Sequence, residues 1–236
     1  MEKTKLNRFI SKYFLNGNVE SVAWKSNGNL SVNFVDDSKS LIGEVVYEKA
    51  GYPEAEFGVN QTSKLKSLLG VLSENINVEV VEKDKICTTM KITDNNVDVS
   101  YMLSDMTIIP QVPVLKTLPE WDLTVNLDEK FIDNFIKASG ALSDVREFAI
   151  VTKNNKTNFV IGHTTVNSTK VSVIANTKEY KQIEVVYFPT GIMREILSAN
   201  KEAKVGTMLV SEKGLAKITF NVDEFKSSYY LVSRIV

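Results

Sequence analysis

The sequence predicts an α+β fold made of two copies of one domain, each with two helices packed on antiparallel sheets. Three observations predict it. Residues 57–105, moved forward by 128 positions, fall without a gap onto residues 185–233. Leu65, Leu68 and Leu69 land on Met193, Ile196 and Leu197, Val80 and Val81 on Met208 and Leu209, Met90 and Ile92 on Ile218 and Phe220, and Tyr101 and Leu103 on Tyr229 and Leu231. Few pairs are identical, yet the alternation of apolar and polar positions survives, which is what a duplicated domain preserves. Four segments also carry helical apolar spacing, and turn-forming residues separate runs with the period of a strand.

The elements follow in order. In the first copy Leu6, Phe9, Ile10, Tyr13 and Phe14 mark one buried helix face, closed by Asn16-Gly17-Asn18. Strands are expected at 19–24, 30–35 and 41–47, separated by the hairpin turn Ser26-Asn27-Gly28-Asn29 and by Asp36-Asp37-Ser38. A second helix over 62–73, capped by Thr62 or Ser63, buries Leu65, Leu68, Leu69 and Leu72. Strands at 77–82, 87–92 and 97–103 close the copy.

The second copy opens with a strand at 122–126 and a helix over 128–139, capped by Asp128 and burying Phe131, Ile132, Phe135 and Ile136. Strands are expected at 146–152, 157–162, 171–174 and 182–187, with Asn154-Asn155 as a hairpin turn. A helix over 190–200 follows Pro189 and buries Ile192, Met193, Ile196 and Leu197; strands at 206–211, 215–220 and 225–233 complete the copy. The domains are therefore placed at 1–105 and 121–236. Between them 106–120 reads MTIIPQVPVLKTLPE and holds three of the chain's five prolines, a composition for an extended, semi-rigid connector.

A chain of 236 residues can bury two cores of ordinary size. No apolar run reaches the roughly 18 residues of a membrane span. The N-terminal stretch is basic but lacks the apolar core and cleavage site of a signal peptide. Cys87 stands alone, which excludes an internal disulfide framework and fits a reducing cytoplasm, the expected location. Net charge is −1, so the chain as a whole does not attract nucleic acid. The charges are sorted, however: Lys3, Lys5, Arg8 and Lys12 oppose Glu2 alone within 1–16, while Glu44, Glu48, Glu54 and Glu56 oppose Lys49 within 44–56.

Helical projection places Arg8, Ser11 and Lys12 opposite the apolar face of the first helix, with Lys5 at its flank. The second helix offers Ser63 and Ser67 flanked by Lys64 and Lys66. The third turns Lys130, Asn134 and Lys137 outward, and the fourth Arg194, Ser198 and Lys201. Lysine is also what an ordinary solvated face holds, and Asp133 and Glu195 intrude. Recurrence on four helices of a near-neutral chain is the argument for phosphate contacts that attract DNA without reading its sequence. No zinc spacing, basic zipper or ribonucleoprotein aromatic signature accompanies it.

Duplicated helix–strands–helix–strands domains, basic helix faces, a proline-bearing connector and mild acidity together resemble the DNA sliding clamps, in length and copy number the trimeric type of tailed bacteriophages and, more distantly, of archaea and eukaryotes. The resemblance covers nearly the whole chain as architecture, without a short diagnostic string. It implies three chains closing head-to-tail, edge strand to edge strand, into a ring of six domains with the helices lining a hole around double-stranded DNA. It makes Lys5, Arg8, Lys12, Lys64, Lys66, Lys130, Lys137, Arg194 and Lys201 candidates for the lining. It also implies a pocket for partner peptides between the domains, for which Ile108, Ile109, Val112, Val114, Leu115, Val232, Ile235 and Val236 are candidates; the same residues would equally seal an interdomain core. The implied partners are a DNA polymerase and a clamp-loader ATPase.

Catalytic chemistry has no residue to carry it. His163 is the only histidine and Cys87 the only cysteine, far apart in sequence, so neither a zinc site nor a nucleophile pair is expected. Asp36-Asp37 reads as a turn. No phosphate-binding loop is present, so no ATP site and no cofactor are expected. The expected function is that of a non-enzymatic, homotrimeric processivity factor for DNA replication. The alternatives are a virion structural protein built of duplicated β-rich domains and a monomeric, non-encircling processivity factor.

Overall fold

The structure, a computed structural model, describes residues 1–164, 166 and 168–233. It divides into two compact units, the first made of residues 1–37, 43–113 and 223–227, the second of 38–42, 114–222 and the chain from Ser228. The proline-bearing stretch thus divides after Pro113.

In the first unit the order is α1 (Lys3–Phe14), β1 (Val22–Ser26), β2 (Leu30–Val35), β3 (Leu41–Tyr47), β4 (Ala55–Val59), α2 (Thr62–Leu69), β5 (Asn77–Lys83), β6 (Ile86–Thr93) and β7 (Asp98–Met102). β1 runs antiparallel between β2 and β4, placing Trp24 opposite Val32 and Phe57. β5, β6 and β7 form a separate antiparallel sheet. Trp24 of β1 and Phe34 of β2 meet Phe9 and Tyr13 on the apolar face of α1, so the contact is mostly aromatic. The Trp24 ring meets Phe9 edge-on at 5.3 Å and lies 5.8 Å from Phe57. Because a buried indole N–H needs a partner, Trp24 Nε1 donates to the Tyr13 hydroxyl at 3.2 Å, which in turn lies 3.4 Å from Thr62 Oγ1. This polar chain ties α1, β1 and α2 together inside an apolar cluster.

The helix termini of this unit depart from the sequence reading. Neither Thr62 nor Ser63 caps α2: its N-cap is Gln61, in the left-handed region at φ 64°, without a side-chain bond. The carboxylate of Glu20 takes that role, accepting from Ser63 N at 3.0 Å, while the Glu20 carbonyl accepts from the Thr62 hydroxyl at 2.8 Å. Reciprocally, Glu74 accepts from Thr4 N at 2.9 Å and from the Thr4 hydroxyl at 2.8 Å at the start of α1. Each helix is capped by a glutamate that follows the other. α2 also stops at Leu69, because Gly70 ends the run, so Leu68 is half-buried while Leu72 remains in the core. β4 was not expected at all. It corresponds, through the 128-residue offset, to the strand expected at 182–187.

In the second unit the order is β8 (Leu123–Asp128), α3 (Glu129–Ala141), β9 (Glu147–Lys153), β10 (Lys156–Ile161), β11 (Val171–Glu179), β12 (Val186–Pro189), α4 (Thr190–Ala199), β13 (Val205–Ser211), β14 (Leu215–Val222) and, from Ser228 on, β15 (Phe225–Val232). The strands lie in the order β12-β9-β10-β11-β8-β13-β14-β15. β11 pairs with β10 from Val171 to Ala175 and meets β8 only from Asn176 onward, through a register shift between Thr177 and Glu179. Asp128 caps α3 as its sequence implies, Oδ1 accepting from Phe131 N at 2.8 Å. Asn154 and Asn155 both take positive φ, 51° and 58°, as a two-residue hairpin turn requires. The core is built from Phe131, Phe135, Phe148, Phe159 and Phe188. At one point it is so close that only glycine fits: a Cβ on Gly206 would lie 2.2 Å from the ring of Phe220, its partner across the β13–β14 ladder.

Candidate nucleic-acid interface

The four helix faces differ once their neighbours are in place. On α1 the cations are engaged. Lys5 Nζ lies 2.9 Å from Glu224 Oε1, and Arg8 Nη2 lies 2.9 Å from Asp223 Oδ2. The Arg8 guanidinium also sits 4.7 Å above the Phe225 ring. The Lys5–Glu224 hydrogen bond shifts the two groups oppositely, holding the ammonium above and the carboxyl below their ordinary ranges.

Lys12 corrects the sequence reading. It was placed on the outward face, but its relative exposure is 0 %, and its ammonium lies 5.7 Å from the Phe225 ring. Helical projection gives the direction of a side chain, not what covers it. The turn at Asp223-Glu224 and the start of β15 belong to the first unit and pack along this flank of α1. No local signal links residues so far apart in sequence, so Asp223, Glu224 and Phe225 were missed.

On α2, Lys64 is exposed and borders a groove of about 280 Å³ with Asn60, Gln61 and residues 100–104. Lys66 is half-buried, its ammonium 5.0 Å over the Phe14 ring. On α4, Arg194 folds onto its neighbour Glu195 at 3.0 Å; Lys201, expected on the same face, lies in the turn beyond the helix end at Ala199 and reaches Asp133 of α3 at 3.3 Å.

α3 is the open face. Lys130, Asn134 and Lys137 follow one another at intervals of four and three, so they share a side of the helix. All three are exposed, and no ion pair holds Lys130 or Lys137 among the described residues. They form one wall of a groove of about 770 Å³ whose other wall is β11, including Ser172, Ile174 and Asn176. Two exposed ammonium groups and an amide on one wall are suited to phosphate oxygens.

The apolar set is dispersed in exposure. Ile108, Val114, Leu115 and Val232 are exposed, Val112 is half-buried, and Ile109 is buried against Gly58, whose added Cβ would lie 3.0 Å from Ile109 Cγ1. Ile235 and Val236 lie outside the described residues. The connector was read as extended, but it opens with a short helical turn at Met106–Ile108, because Asp105 Oδ1 accepts from Thr107 N at 2.8 Å.

His163 Nδ1 lies 3.0 Å from the Tyr187 hydroxyl. Burial raises the pKa of the Cys87 thiol. No group of three metal-ligating side chains occurs among the described residues, and no helix among them is long and apolar enough to cross a membrane.

The sequence matches no family model and no curated protein. Solved structures do match. Proliferating cellular nuclear antigen from Entamoeba histolytica aligns over 100% of this chain and 97% of its own, at 14% identity and a TM-score of 0.76. The PCNA of A. fulgidus, solved with the C-terminal region of FEN-1 bound, aligns over 100% and 97% at 15% identity and a TM-score of 0.74. The chain has the sliding-clamp fold, an α+β architecture with four helices and antiparallel sheets.

Proposed function

We propose that this chain is a DNA sliding clamp of the trimeric, bacteriophage type, which encircles duplex DNA and tethers a DNA polymerase without catalysing a reaction. The observation that carries this reading is the likeness of the fold over the full chain, joined to the unpartnered cations of α3. Lys130 and Lys137, with Lys64 on α2, are the proposed principal phosphate contacts. Such contacts attract any sequence equally, which permits sliding. Lys5, Arg8, Lys66, Arg194 and Lys201 contribute less, being engaged within the chain, and Lys12, fully buried, does not reach DNA.

Ring closure needs two unpaired strand edges. β7 ends its sheet and exposes Met102 (69 %); β11 leaves Val171–Ala175 unpaired on one side and exposes Ile174 (65 %). Pairing of β7 of one copy with β11 of the next would cover both. The exposed apolar side chains Ile108, Val114 and Leu115 are the proposed docking residues for the polymerase and a clamp-loader ATPase; in the A. fulgidus structure it is a FEN-1 peptide that is bound.

The deciding experiment loads the protein with its cognate loader onto circular and nicked-then-linearised duplex of the same length. Encirclement predicts retention on circles and rapid loss from free ends; equal loss from both topologies refutes it. Solution mass is the companion measurement, with three times 26.4 kDa expected at micromolar concentration.

A further inference from the structure

We infer that the turn between β14 and β15 is an internal phosphate mimic: Asp223 and Glu224 occupy Arg8 and Lys5 and so keep α1 from gripping DNA. The inference rests on the proposed DNA-facing role of the helices and adds an opposing element to it.

The geometry is specific. Two consecutive carboxylates meet two cations one helical turn apart, each pair at 2.9 Å. Phe225 continues the same contact, lying beneath the guanidinium of Arg8 and near the ammonium of Lys12. The position is held by the backbone as well: Glu48 N donates to the Glu224 carbonyl at 2.8 Å, and Asp223 takes the left-handed conformation at φ 51° that brings the turn round. Arg8, Asp223, Lys5 and Glu224 all retain 28 to 61 % of their side-chain exposure. The pairs therefore lie at the surface, where an ion pair exchanges readily with solvent ions. A phosphate competing for these cations must displace a carboxylate already in place. Among the described residues no carboxylate pairs with Lys130 or Lys137 on α3, so the grip on DNA is uneven between α1 and α3. For a protein that must stay on DNA yet move along it, weaker contacts on one helix lower the friction of sliding while topology prevents loss.

The test uses Asp223→Asn/Glu224→Gln. Asparagine tolerates the left-handed region as aspartate does, and both changes keep shape while removing charge. Binding to a linear duplex is followed by anisotropy from about 50 to about 200 mM salt, the range in which counterion release is steep. Release of two cations predicts tighter binding and a salt slope steeper by up to about 1.8, at about 0.9 per phosphate. Lys5→Ala/Arg8→Ala in the same background should return the slope to the wild-type value. Glu44→Gln/Glu54→Gln, an equal change in net charge at two exposed glutamates elsewhere, should leave it unaltered. If the turn variant binds like wild type, or if the Glu44/Glu54 control gains as much, the mimic is refuted. Lys130→Glu/Lys137→Glu separates the two levels: loss of binding there with no gain in the turn variant overturns only the mimic, whereas binding by none of the proteins overturns the DNA-facing reading with it.

Discussion

Replacing Lys130 and Lys137 by alanine is the perturbation that tests the α3 face most directly. Both side chains are exposed and hold no ion pair among the described residues, and alanine is the better helix former, so the helix should stay folded. Each lysine that neutralises a phosphate releases about 0.9 counterion, so two contacts contribute about 1.8 to the slope of log K against log salt. Over a fourfold rise, from about 50 to about 200 mM, that slope corresponds to a loss of about twelvefold in wild-type affinity that the double variant should not show. Fluorescence anisotropy on a labelled linear duplex, titrated at several salt concentrations, reads this slope for each protein. Circular dichroism establishes that the helix content is unchanged. Parallel salt dependences for the two proteins, at any absolute affinity, would show that neither lysine touches phosphate and would remove α3 from the interface.

Other expectations concern the scaffold. Gly206→Ala forces a methyl group to 2.2 Å from the Phe220 ring and should cost about 1–3 kcal/mol in urea unfolding; Phe220→Leu in the same chain should recover part of that loss. Asp128→Ala removes the bond to Phe131 N and should destabilise the second unit by about 1 kcal/mol, read as a lower thermal midpoint. Asp94 accepts backbone bonds from Ser73 at 2.6 Å, Asn96 at 2.7 Å and Val97 at 2.8 Å, and these hold its pKa far below the usual carboxylate value. A depressed folded pKa contributes stability above the unfolded value, and that contribution fades as pH falls toward the folded one. Stability should therefore decline below about pH 4, and Asp94→Asn should show a shallower decline in acid unfolding.

Much of the fold was readable because its signals are local. Asp128 before an apolar helical run and paired asparagines between alternating strands each determine structure within a few residues, and the repeat offset by 128 positions is a second copy of such local patterns. What escaped depends on distant partners. β4 carries Glu56, Phe57 and Gly58 in a short run with little alternation, and only its pairing with β1 makes it a strand. The start of α2 could not be read from Thr62 or Ser63, because the group that completes it is Glu20. The same limit governs the interface. Lys130 and Lys137 look from sequence like Lys5 and Arg8, and only the approach of Asp223 and Glu224 separates the open pair from the occupied one.

The exchanged glutamates of α1 and α2 have a consequence for how the first unit comes into being. Glu20 completes α2 and Glu74 completes α1, across 43 and 70 residues of chain. An eight-residue helix has little tendency to persist alone in water, so α2 gains its first turn only when the segment after α1 has arrived, and α1 its own only when the segment after α2 has. Neither can fray without exposing the other's amides. The pair should close and open as one cooperative unit, with the amide hydrogens of Thr4 and Ser63 exchanging in step, whereas α3, which carries its own cap, is free to form early and by itself.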